Sequence, residues 1–247
     1  MNFFSLLKRN IIYNLKRKVS IDSDKINFES LDELFNYYGS DKANIFKKTN
    51  RTGHGYSQFY EKKLKNFENK KINILEIGSY SGASAASFIK YIPGSNIFCF
   101  DINISNFVYK SKKIHVYGID INNERKVRKT LNHIFKKFKI EGFDIIIDDG
   151  SHKLSDILIG FKFFFKFLKT NGLFVIEDFK HPNYYNYNNN INHIFVDKFL
   201  NNLVNNKISQ SNIFSNDEQT ELIKSIKIIE IFKGNLDDSD ISFITKK

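Results

Sequence analysis

Five residues able to bind a cation or move a proton lie at the ends of two apolar runs. Asp148-Asp149-Gly150-Ser151-His152 follows residues 143–147, and Glu177-Asp178 follows residues 173–176. A buried parallel strand that ends in carboxylates delivers them to one sheet edge, which is where open α/β sheets bind ligands. The spacing suits a hard cation held by Asp149, Glu177 and Asp178. Oxygen-only ligands favour Mg²⁺ (or Mn²⁺) over Zn²⁺. His152, three residues after Asp149 and beyond a Gly-Ser turn, is placed to act as a base. Alternation along the strand turns Asp148 away from Asp149, as a cofactor-side or structural group. The competing reading is that these acids cap the next helix, a task Ser151, Ser155 or Asp156 could do alone.

Upstream, Ile74-Leu75-Glu76-Ile77-Gly78-Ser79-Tyr80-Ser81-Gly82 reads as a strand and glycine turn leading into a helix. Glycines let the backbone approach a ligand, and a helix N-terminus offers N–H groups. Nineteen residues beyond Gly82, Phe98-Cys99-Phe100-Asp101 ends in an acid able to accept both hydroxyls of a ribose. The turn is E-x-G-x-x-x-G and not G-x-G-x-x-G, which points away from NAD and toward S-adenosylmethionine (SAM). The cofactor set is then Glu76, Gly78, Ser81, Gly82 and Asp101. Asp120, after the third strand, either meets the adenine or caps a turn.

These motifs, with Val175-Ile176-Glu177-Asp178, resemble class I SAM-dependent methyltransferases. More narrowly they resemble the metal-dependent sugar O-methyltransferases of macrolide biosynthesis and their relatives in bacterial surface-glycan clusters. Tyr38-Gly39-Ser40-Asp41-Lys42 and His54-Gly55-Tyr56-Ser57 are similar to the lead-in segment of that group, and the likeness covers roughly residues 38–180. It implies methyl transfer to a hydroxyl of a nucleotide-linked sugar or a capsule- or lipopolysaccharide-type glycan. His54 and Tyr56 either close over the cofactor or are surface-loop residues, and His181 is placed to line the acceptor site. Residues 179–192, rich in Asn and Tyr, match nothing in the group, so a phenolic or phosphate-type acceptor stays open, as does a non-catalytic SAM-binding subunit.

The elements that must position these residues follow from periodicity. Strands alternating with helices, closed by a hairpin over residues 226–232 and 241–245, predict a Rossmann-like α/β fold: a doubly wound, seven-stranded, mostly parallel sheet. Residues 1–68 form an N-terminal helical segment before a methyltransferase domain over 69–247, with residues 181–216 a lid or acceptor-binding insertion. Ser30-Leu31-Asp32-Glu33 is a capping box whose helix stops at Gly39. The helix following His152 is expected to end at Asn171-Gly172. The lone Cys99 sits in an apolar strand and excludes an internal disulfide, consistent with a cytoplasmic setting.

A net charge of +11 invites a nucleic-acid partner, yet only five of the 38 basic residues are Arg, the residue that reads phosphate and base edges in bidentate fashion. No RNA-binding motif is present, so an RNA methyltransferase and any nucleic-acid partner are disfavoured. A/T-rich coding bias accounts for the Lys, and attraction for anionic partners is the other account. No run of about 18 apolar residues could span a bilayer. Phe3, Phe4, Leu7, Ile11 and Leu15 recur at helical spacing among basic residues. Such a helix either packs on the domain or a second subunit, giving a homo-oligomer, or lies peripherally on the inner face of a membrane.

Overall fold

The computed structural model describes residues 3–26, 28–179, 194–237 and 239–247. The chain clusters into two compact units, Met1–Glu141 and Gly142–Lys247. The first opens with α1 (Phe3–Leu15) and the short strand β1 (Val19–Ser20). Helix α2 (Leu31–Tyr38) carries the expected capping box: Ser30 accepts from Glu33 N, Glu33 reaches back to Ser30 N, and Gly39 closes the C-terminus at φ 78°. A small ladder pairs β2 (Ile45–Phe46) with β3 (Arg51–Thr52) before α3 (Ser57–Leu64). Then come β4 (Asn73–Ile77), α4 (Ala83–Tyr91), β5 (Asn96–Asp101), β6 (Tyr109–Lys110), β7 (Ile114–Gly118) and α5 (Glu124–Phe138). Strands β4, β5 and β7 lie side by side and parallel, and β6 pairs with β1.

Every residue of β4 is buried, the polar Asn73 and Glu76 as well as Ile74, Leu75 and Ile77, as suits an interior parallel strand. The helices meet through aromatic edges. Phe35 of α2, Tyr60 of α3 and Phe88 of α4 have ring centroids 5.2 to 6.3 Å apart. On α5, Val127, Leu131 and Ile134 supply the buried stripe at the spacing that marks the helix.

The second unit holds β8 (Phe143–Asp148), α6 (Leu154–Phe164), β9 (Leu168–Glu177), α7 (Val196–Val204), α8 (Asn216–Ser225), β10 (Ile226–Lys233) and β11 (Asp240–Lys246). The C-terminal hairpin is antiparallel, and β11 also runs antiparallel to β9, which is parallel to β8. Strand order is β4-β5-β7 in the first unit and β10-β11-β9-β8 in the second, within a seven-stranded, mostly parallel sheet. One element differs from expectation. The helix does not run to Asn171-Gly172: it ends at Phe164 in a 3-10 turn through Phe167, and the strand begins at Leu168. Pairing jumps from Phe143 opposite Leu168 to Ile145 opposite Leu173, so Asn171, at φ 59°, lies in an irregular excursion inside the strand.

Candidate active site

In the first unit the glycine turn lies at the C-terminal ends of β4 and β5. Gly78 and Gly82 both sit in the left-handed region, at φ 85° and 78°, and Tyr80 between them at φ 41°. Asp101 organises this turn: its Oδ2 accepts from Tyr80 N at 2.7 Å and its Oδ1 from Asn103 N at 2.6 Å. The half-buried carboxylate thus sits beside the N-terminus of α4, with acceptor capacity left for hydroxyl groups. Glu76 lies behind the turn. It is fully buried and accepts a hydrogen bond from Ser84 in the first turn of α4, with the Cys99 thiol 3.9 Å away. It therefore shapes the loop from the strand side. At Gly82 a side chain is excluded by the Phe107 ring, whose Cε1 and Cε2 would lie 2.6 and 2.7 Å from an added Cβ. The sequence had assigned that smallness to a ligand's approach. Ser81, half-buried, accepts from Val108 N through its carbonyl.

The remaining first-unit candidates are structural in their visible contacts. Tyr56 is wholly buried, with the His54 ring stacked on it at 5.2 Å, so Tyr56 belongs to the packed interior of the first unit. Asp120 accepts from Asn122 N at 3.1 Å, a local turn ahead of α5. His115 packs between Phe98 and Phe138, and burial, then Lys137, pushes its imidazole down to about 4. Cys99 is likewise interior, its thiol held well above the ordinary range by burial and Glu76.

In the second unit Asp149, His152 and Asp178 converge. One ligand atom from each lies within 4.8 Å of the others, and all three side chains are half-buried. His152 Nε2 stands 3.7 Å from Asp149 Oδ1. Two left-handed residues build this cluster, His152 at φ 54° and Asp178 at φ 53°. Non-glycine residues there are uncommon and mark sites that surrounding structure must hold. Glu177 is not part of the group. It remains in the ladder opposite Ile241 and is 1% exposed, while Asp178 leaves the strand with its N–H on Asp240 O at 2.7 Å. Neighbouring strand residues face opposite sides, so one acid of the pair reaches the cluster and the other stays inside.

Capping does not explain these acids, since the N-cap of α6 is Lys153 without a side-chain bond, and Ser151 instead donates to Asp156. Asp148 is also buried. Burial pushes its carboxyl up to about 7, a rise opposed by the Gly150 N–H and added to by Asp149 and Asp156. Its Oδ2, with no hydrogen-bond partner among the described residues, faces Gly160 of α6, where a Cβ would come within 2.9 Å. That makes Asp148 part of the packing under the cluster, the structural alternative for this residue. His181 lies outside the described residues.

Two residues of the N-terminal segment, Asp32 and Lys42, have surroundings that their motifs do not specify. Asp32 accepts from Asn44 N at 2.8 Å and Ser57 Oγ at 2.7 Å, tying α2 to the start of α3. Lys42 is 2% exposed, an unusual burial for a lysine. Only the capping position of Asp32 hinted at its role, and nothing in the local sequence marks Lys42 as interior.

No protein-family model matches the chain. The chain is 26% identical over 132 residues to mycinamicin VI 2''-O-methyltransferase of Micromonospora griseorubida, a match covering 51% of this chain and 31% of the relative. To L-olivosyl-oleandolide 3-O-methyltransferase of Streptomyces antibioticus it is 29% identical over 157 residues, covering 60% and 36%. The matches thus span about a third of the length of these curated relatives. Among solved structures, the MycE methyltransferase of the mycinamycin biosynthetic pathway, in complex with Mg, SAH and mycinamycin VI, superposes with a TM-score of 0.64 at 20% identity, covering 88% of this chain and 54% of that one. The chain has the fold of the class I SAM-dependent methyltransferases and resembles in sequence the sugar O-methyltransferases of macrolide biosynthesis.

Proposed function

We propose that this protein is a SAM-dependent O-methyltransferase whose acceptor is a hydroxyl of a nucleotide-linked sugar or a surface glycan of capsule or lipopolysaccharide type. The observation that carries the reading is the convergence of Asp149, His152 and Asp178 just beyond the ends of β8 and β9. The relatives support it, since their names place methyl groups on hydroxyls of sugar-bearing natural products, and the MycE complex holds Mg and SAH.

The carboxylates of Asp149 and Asp178, converging in a half-buried site, fit a hard divalent cation, with the His152 imidazole alongside. The loop from Gly78 to Gly82, with Asp101 beside it, fits an adenosyl cofactor through N–H groups at a helix start and an acceptor for ribose hydroxyls. When bound, cation and cofactor supply an acidified acceptor hydroxyl and an electrophilic methyl group. Asp149 and Asp178 would hold the cation through their carboxylates. With acceptor and cofactor bound, His152 would take the hydroxyl proton at Nε2, and the cofactor would supply a methyl group whose transfer to that oxygen gives an ether and SAH. Because the methyl group is already activated, alignment and proton removal are the protein's main tasks.

A second reading follows from the same cluster: His152, as the third member of the group, is a cation ligand. Methyl transfer from labelled SAM to a panel of nucleotide sugars, glycan fragments, phenols and phosphorylated small molecules, with and without EDTA, tests the reading. Transfer to sugars that EDTA abolishes and Mg²⁺ or Mn²⁺ restores supports it. Full activity after rigorous chelation removes the cation. Transfer to phenols or phosphates alone changes the acceptor, and SAM binding without transfer to any hydroxyl makes the chain a binding subunit.

A further inference from the structure

Helix α1 has two faces of different kinds. Its inner face is fixed to the first unit. Leu6 is buried, and Tyr13 meets the Phe107 ring edge-on at 6.3 Å. Gly118 gives way to Asn10, whose side-chain oxygen occupies the space a Cβ there would need. Arg9 donates to Ile102 O at 3.1 Å, and Lys16 to Ser105 O at 3.1 Å. At 100° per residue, Leu7, Ile11 and Leu15 fall on the opposite face with Phe4, and Ile12 flanks them. These five side chains are between 42 and 82% exposed, a concentration of large apolar groups on one helix.

Within the segment itself the charge is of one sign. Residues 1–21 contain five basic side chains and no acid, and Lys8 and Arg17 are exposed. We propose that α1 is a membrane-surface anchor, lying flat on an anionic bilayer with the Leu7–Ile11–Leu15 row in the headgroup boundary and Lys8 and Arg17 at the phosphates. A thirteen-residue helix of about 20 Å is too short to span a bilayer but long enough to lie in its interface. Two copies of α1 packed face to face would oppose cations with no carboxylate to balance them, whereas an anionic lipid surface complements apolar row and cations together.

Flotation of the full chain with vesicles of phosphatidylcholine, alone or mixed with phosphatidylglycerol, tests this. The protein should float only with the mixed vesicles and be released by raised salt. The pair Leu7→Glu and Ile11→Glu, both at exposed positions, should lower partition by more than about ten-fold. Lys8→Glu with Arg17→Glu should lower it by roughly ten-fold. Circular dichroism and an unchanged melting temperature check that the variants stay folded. Failure to float with phosphatidylglycerol vesicles at low salt overturns the proposal, as does equal flotation by the Leu7/Ile11 pair. A lipid-free dimer in light scattering that the same pair dissolves also overturns it and assigns the row to a second copy.

Discussion

Gly82→Ala tests the physical account of the cofactor turn. Two costs add at this position. A non-glycine residue at φ 78° costs about 1–2 kcal/mol through its Cβ and carbonyl oxygen. The new methyl also enters the space of the Phe107 ring, overlapping Cζ and approaching Cε1 and Cε2. Overpacking of this kind costs about 1–3 kcal/mol, because Phe107 is fully buried and has little room to move. Urea unfolding followed by circular dichroism should therefore show a loss of about 2–5 kcal/mol with the denaturant slope unchanged. The overlapping atoms are all at the far end of the ring, and leucine lacks them. Phe107→Leu has its own packing cost, but in the double variant the overlap disappears and only the backbone cost of Gly82→Ala remains. The double-mutant cycle should then show a coupling of about 1–3 kcal/mol. A Gly82→Ala variant within about 0.5 kcal/mol of wild type, or a cycle with no coupling, refutes the reasoning.

Asp101→Ala should weaken SAM binding by about 1.5–3 kcal/mol, since it removes the carboxylate proposed to accept ribose hydroxyls and releases the Tyr80 and Asn103 N–H groups that shape the loop; unchanged affinity by calorimetry would place the cofactor elsewhere. His152→Ala should lose turnover by about 10²–10⁴-fold with SAM affinity within a few-fold. An unaltered Mg²⁺ requirement in that variant marks a base, whereas a raised half-saturating Mg²⁺ marks a ligand. Retained turnover turns attention to His181. His115 should make the fold acid-sensitive. Its folded value near 4 lies below the ordinary 6.5, so its contribution is complete above about pH 6.5 and is lost as pH falls toward 4. Because the ring is only partly shielded, the loss should be of order 1–2 kcal/mol after solvent screening. His115→Phe should flatten that part of the stability–pH curve, and an unchanged curve would count against it.

The sequence alone determined the features that depend on neighbours along the chain. Strand β4 announced itself as a mostly apolar run, α5 by its stripe of Val127, Leu131 and Ile134, and α2 by a capping box closed at Gly39. The α8 box, Ser215 with Glu218, was equally legible and passed unread. Local patterning also delivered Asp149, His152 and Asp178 to strand ends, because a strand's last residues must lie at the sheet edge. Only the tertiary structure decided which acids point where. Asp178 and His152 reach the cluster through left-handed backbone, which Asp and His adopt more readily than most residues but which local pattern does not assign to these two positions, while Glu177 stays in the ladder. Glu76 and Asp148 turned inward because their partners, Ser84 and Gly160, lie on helices eight and twelve residues further along the chain. The smallness of Gly82 likewise answers to Phe107, and the burial of Tyr56 to packing among helices. Spacing within one element records which face is buried, but which neighbour a polar side chain meets there is set by contacts between elements.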